Sequence, residues 1–163
     1  MLDNQCYRAK NHLNNIIYVN LGIFVIVNLL NGFMSLSQKE IDFLSYLGIS
    51  SNVNLFIQKP WTIITYMFTH ENLLHILINM CYLYFGGQIF MSYLSGKELL
   101  STYIMGGMMG AFVYIAAFNT FPVFENIQAN SLAIGASASV FSILLASATY
   151  VPDYPLNLPI IKK

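Results

Sequence analysis

The chain of 163 residues is 56% hydrophobic, and only 9% of its residues are charged. Soluble domains carry about 25% charged residues, so the composition excludes an ordinary water-soluble fold. Seven basic side chains balance seven acidic ones for a net charge of zero, and no basic run offers the footprint that nucleic acid requires.

The charges cluster. Residues 11–38, 72–96, 99–124 and 126–152 contain no Asp, Glu, Lys or Arg. A helix crosses the hydrocarbon with roughly 20 apolar residues, and a mid-membrane charge costs about 2.5–3.5 kcal/mol on insertion scales. Four gaps of this length predict four transmembrane helices, at about 15–36, 72–94, 99–118 and 133–151. The first is read as an anchor and not as a cleaved leader. Its apolar stretch, Ile16 to Leu36, exceeds the roughly 7–15 residues of a signal h-region. Cys6 precedes this span and Cys81 lies inside the second, at different expected depths, which predicts no disulfide; neither has metal-ligand spacing.

The loop from 37 to 71 is long and far from polar, with Phe43, Tyr46, Phe56, Trp61, Tyr66 and Phe68 among its residues. Trp and Tyr concentrate at the membrane interface, so this loop is expected to lie there, its last piece starting at Lys59-Pro60-Trp61. Basic residues set the orientation. A cytoplasmic N-terminus puts Arg8, Lys10, Lys97, Lys162 and Lys163 inside and leaves Lys39 and Lys59 outside. The second and fourth spans then both run from outside to inside.

His75 and Asn79, four apart in the second span, share one helix face. Polar groups within a span face the protein interior or a water-filled cavity. They serve either a reaction or plain interhelical hydrogen bonding. His70 falls at the helix entrance, where it caps, lines a cavity mouth or stays idle. In the third span Gly106 and Gly110 form a G-x-x-x-G pair, and in the fourth Ala138, Ser142 and Ala146 form a small-residue stripe. Small residues let membrane helices approach closely, so the fourth helix is expected at the centre of the bundle. Ser139, Ser142 and Ser147 read as contact or back-bonded serines.

Ser137 stands apart within Gly135-Ala136-Ser137-Ala138. Close contact between helices is the plain explanation for such a run. The chemical one is that Gly135 permits a tight turn, while a helix N-terminus supplies free N–H groups and a positive dipole end. Those donors suit a developing oxyanion. The dipole alone contributes about 0.3–1 kcal/mol, up to ~2 when partly buried, and one pKa unit is about 1.36 kcal/mol. That moves an alcohol's pKa by little more than one unit, so an adjacent base is needed. The only histidines are His12, His70 and His75, and none follows Ser137.

Taken together, residues 59–154 resemble the rhomboid family of intramembrane serine proteases. Pro60-Trp61 through Thr65-Tyr66-Met67-Phe68 is similar to the family's approach to its second helix. His70, His75 and Asn79 match its His-x4-His-x3-Asn spacing, followed by an aromatic run and Gly86-Gly87. Gly135-Ala136-Ser137-Ala138 resembles its Gly-x-Ser-Gly motif. The resemblance implies an all-α, polytopic membrane protein: one domain over 1–163, holding four helices of a six-helix bundle behind a long interfacial first loop. It implies Ser137 as nucleophile, with His75, Asn79 and the Ser137 backbone N–H as oxyanion donors. Gly135, Ala136 and His70 would support them. No metal and no cofactor are implied. The expected partners are membrane lipids and transmembrane protein substrates, with the site near the outer face; oligomeric state is left open.

Two departures stand out. Ala138 replaces the glycine after the nucleophile. The family's general base, a histidine on its sixth helix, has no counterpart among these residues. The 163 residues are therefore expected to be the N-terminal part of a rhomboid and inactive alone. The competing readings are a non-catalytic relative that binds membrane clients and a transporter or channel fragment with His75 and Asn79 lining its pathway.

Overall fold

A computed structural model describes residues 2–36, 42–124, 126–127 and 131–150, with side chains from residue 11 onward. The described residues are mostly helical. Helix α1 spans Leu2–Leu36. It is followed by α2 (Phe43–Leu47), strand β1 (Ile49–Ser50), α3 (Val53–Gln58), α4 (Thr62–Thr65) and a 3-10 turn (Tyr66–Phe68). The longer helices α5 (Leu73–Met91) and α6 (Gly96–Thr120) come next, then strand β2 (Leu132–Ala133) and α7 (Ser137–Tyr150).

Among the described residues, three helices are long and apolar enough to cross a membrane: Asn11–Leu36 within α1, then α5 and α6. At ~1.5 Å per residue, the 19 residues of α5 extend about 28 Å, close to the ~30 Å hydrocarbon core. Asn72 starts α5 by accepting the His75 backbone N–H at 2.9 Å, the side-chain cap that a helix start favours. A capping box starts α6: Ser95 accepts from the Glu98 N–H at 3.4 Å, and Glu98 accepts from the Ser95 N–H at 2.6 Å.

Helix α7 begins at Ser137, four residues later than hydropathy places the fourth span, and it is a 14-residue apolar helix. The reason is a non-local pairing. β2 joins β1 in an antiparallel ladder, Ile49 opposite Ala133 and Ser50 opposite Leu132. Residues 132–136 thus reach the helix as non-helical chain, a short strand followed by a bend at Gly135-Ala136. Non-helical backbone at membrane depth persists only where the protein satisfies its polar groups. Here the Gly135 N–H reaches the Tyr66 carbonyl at 2.9 Å, and the Ala136 N–H reaches His70 Nε2 at 3.3 Å. The residues after 150, including the expected end of the fourth span, Lys162 and Lys163, lie outside the described part.

The segment 42–71 is compact. Trp61 Nε1 donates to the Tyr46 carbonyl at 3.2 Å, and the two rings lie 5.3 Å apart. Lys59 Nζ donates to the Ser45 carbonyl at 3.1 Å, and Thr65 Oγ1 donates to the Leu47 carbonyl at 2.7 Å. These bonds tie the segment together, α4 packs on α6, and β1 lies alongside β2 on the approach to Ser137.

At the centre, α7 packs on both α5 and α6. Its buried face carries Ser139, Val140, Ile143 and Ser147. Gly110 of α6 lies against Ala138 so closely that a Cβ there would overlap the Ala138 methyl. Ser142, one turn on, turns its hydroxyl to the Thr102 carbonyl at 3.0 Å and the Ser139 carbonyl at 2.7 Å. The third-span glycines and the fourth-span small residues thus meet face to face.

Candidate active site

The site is built from three segments: the turn Tyr66–Phe68 with His70 beyond it, the first turns of α5, and the chain entering α7. Gly135 is the joint. Its φ of +110° lies in the region that L side chains rarely adopt. A Cβ there would also stand 2.6 Å from His75 Nε2. Only glycine satisfies both the backbone and the contact, and that contact brings the His75 ring against the approach to Ser137.

His70 is buried, 1% exposed, and its ring sits edge-on to His75 with centroids 5.1 Å apart. Burial, with the neighbouring His75 as the second cause, pushes its pKa down from 6.5 to about 4. His70 is therefore neutral at pH 7. Nε2 accepts from the Ala136 N–H, which places the ring proton on Nδ1. A protonated His70 would lose that acceptor and release Ala136.

Asn79 is buried, one turn below His75, and donates one amide hydrogen to the His75 carbonyl at 3.0 Å. This leaves its second amide hydrogen for another acceptor. His75 is half-buried, while Ala136 is fully buried and Ser137, next along, is exposed. Among the described residues no side chain hydrogen-bonds the Ser137 hydroxyl. The structure brings His70, His75, Gly135 and Ala136 into mutual contact, with Ser137 as the first residue of α7 beside them and Asn79 beneath His75. His12 lies elsewhere. It packs against Gly96 at the start of α6, 14 residues along that helix from Gly110, which faces Ala138.

Two supporting residues escaped sequence reasoning. Tyr66 reads in the sequence as one of the interfacial aromatics, yet it is buried, donates its hydroxyl to the Gly107 carbonyl and accepts from the Gly135 N–H at its own carbonyl. Tyr103, fully buried in α6, donates to the Met67 carbonyl at 3.0 Å. A hydroxyl-bearing aromatic in the middle of an otherwise apolar span was the available signal. The described residues contain no group of three or more His, Cys, Asp or Glu that could hold a metal ion. Cys81 is free and exposed; the side chain of Cys6 lies outside the described part.

Long apolar helices with a buried polar constellation at one end of the bundle define a polytopic helical membrane protein. Residues 58–161 match the family model of the rhomboid domain. The chain belongs to the rhomboid family. No curated protein and no solved structure matches it.

Proposed function

We propose that this chain carries the nucleophile and the oxyanion site of a rhomboid-type serine endopeptidase acting on transmembrane protein substrates. The observation that carries the reading is the contact between Gly135 and His75 Nε2, which sets a ring donor beside the start of α7, where Ser137 stands.

In this reading the Ser137 oxygen attacks a substrate carbonyl carbon as its proton passes to a base. The carbonyl π electrons move onto oxygen. His75, the second amide hydrogen of Asn79 and the Ser137 backbone N–H stabilise that charge, assisted by the amino end of α7. The base then gives the proton to the leaving amine, the C–N bond breaks, and an acyl-enzyme remains for water to hydrolyse. Gly135 and Ala136 set the approach, and His70 holds the Ala136 N–H.

The general base has no candidate among the three histidines. His12 packs at the other end of α6, His70 spends Nε2 on Ala136, and His75 is the oxyanion donor. The reading therefore leaves the general base unassigned among these residues. Removing a triad member leaves only the modest catalysis of the oxyanion hole and binding. The site would face the exterior, with the N-terminus cytoplasmic.

The test is cleavage of a single-span membrane substrate by the protein expressed from its gene. Ser137→Ala is expected to abolish cleavage, and Ser139→Ala to preserve it. Cleavage that survives Ser137→Ala rejects the assignment. Absence of any cleavage, with co-purification of an intact membrane client, favours the non-catalytic relative.

A further inference from the structure

Helix α1 lies outside the residues that match the rhomboid domain, yet it carries a fully buried amide. Asn20 donates to the Ile16 carbonyl at 2.8 Å and to Tyr103 Oη at 3.1 Å. Tyr103 passes the bond on, donating its single proton to the Met67 carbonyl at 3.0 Å. Met67 adjoins Tyr66, whose carbonyl accepts the Gly135 N–H at 2.9 Å. Two hydrogen-bonded stretches, joined through the backbone of the turn at Tyr66-Met67, therefore run from the middle of α1, through α6, to the joint that delivers Ser137. Asn20 and Tyr103 are both 0% exposed. Without water at hand, each group depends on its neighbour in the relay.

We propose that Asn20 and Tyr103 are positioning residues for the serine site. They fix the peptide planes at Tyr66 and Met67 and so the height at which Gly135 and Ala136 enter α7. Helix α1 is then part of the site's frame as well as an anchor. The catalytic consequence rests on the protease reading; the mechanical one does not.

Asn20→Leu combined with Tyr103→Phe removes both partners of their mutual hydrogen bond, which is nearly neutral for stability, but leaves the buried Met67 carbonyl without its donor. The double variant cuts the relay, and circular dichroism checks that the helices persist. The experiment compares wild type, Tyr103→Phe and the double variant by deuterium exchange in nanodiscs. In both variants, exchange at Gly135 and Ala136 is expected to rise about fivefold, the worth of one net hydrogen bond, with the amides of residues 76–90 unchanged. Wild-type exchange at Gly135 in the double variant overturns the proposal. So does an equal rise along residues 76–90, which would mark a structural role.

The same variants are assayed for substrate cleavage in the protein expressed from its gene. The expected result is a lower kcat at unchanged KM for the double variant. A double variant with wild-type kcat shows that the relay does not position the site. Should wild type cleave no better than Ser137→Ala, the protease reading fails, and exchange at Gly135 still decides the positioning role.

Discussion

Gly110→Ala is the most informative single perturbation of this bundle. In an unobstructed helix the change would stabilise by about 0.8–1.0 kcal/mol, the difference in helix propensity. Here the new Cβ would overlap the Ala138 methyl, well inside the ~3.5–4.0 Å of ordinary carbon contact. Overpacking of this kind costs typically ~1–3 kcal/mol. Both colliding atoms are attached directly to helix backbone, so no rotamer change relieves them and α6 and α7 must part. The collision therefore outweighs the propensity gain. Ala138→Gly removes the obstructing methyl; the next nearest atoms to the new Cβ are Tyr66 Oη at 3.2 Å, a tight contact that the hydroxyl relieves by moving a few tenths of an ångström, and the residue 138 Cα at 3.8 Å, an ordinary one. The pair should thus be coupled. Gly110→Ala alone destabilises, Ala138→Gly alone costs up to ~1 kcal/mol, and the double variant recovers by about 1–3 kcal/mol relative to the sum. The assay is reversible unfolding in mixed micelles over the four-member cycle. Additivity within about 0.5 kcal/mol would refute the contact. It would also refute the view that the alanine following Ser137 is accommodated by a glycine on the neighbouring helix.

Three further outcomes follow from the site and its surroundings. Gly135→Ala meets an unfavourable φ and the His75 ring at once, so cleavage by the protein expressed from its gene should fall at least ~10²-fold, the worth of one oxyanion donor, with helix content by circular dichroism unchanged; near-normal cleavage would contradict the geometry. His70 has a folded pKa near 4, below its ordinary 6.5, so its neutral form contributes fully above pH 6.5 and the contribution is lost as pH falls from 6.5 toward 4. The stability difference between wild type and His70→Gln should therefore shrink across that window, by up to ~3 kcal/mol, and a pH-independent difference would show that His70 titrates normally. Cys81 is exposed on the membrane-crossing helix α5, so in a Cys6→Ser background it should resist a charged maleimide in bilayers and react after denaturation; prompt labelling in bilayers would place that face in water.

Much of the frame was legible because its signals are local. Charge-free stretches marked the long helices, and the four-residue spacing of His75 and Asn79 set them on one face whatever the tertiary fold. The small residues of the third and fourth spans announced a close contact, though not that Gly110 would meet Ala138. What stayed hidden is non-local. Hydropathy counts Ala133 as membrane helix, because it cannot see Ile49 waiting to pair with it. Asn20 and Tyr103 are 83 residues apart, and nothing near either one names the other. Ala136 gave no sign that its N–H would fall to His70, since that bond exists only once Tyr66 has drawn Gly135 into place.

The central claim is that Ser137 is the nucleophile of this site. Mass-spectrometric mapping of a fluorophosphonate adduct on the protein expressed from its gene tests it directly. The account predicts an adduct on Ser137 and none in the Ser137→Ala variant. Labelling at another serine, with Ser137 unmodified, would contradict it.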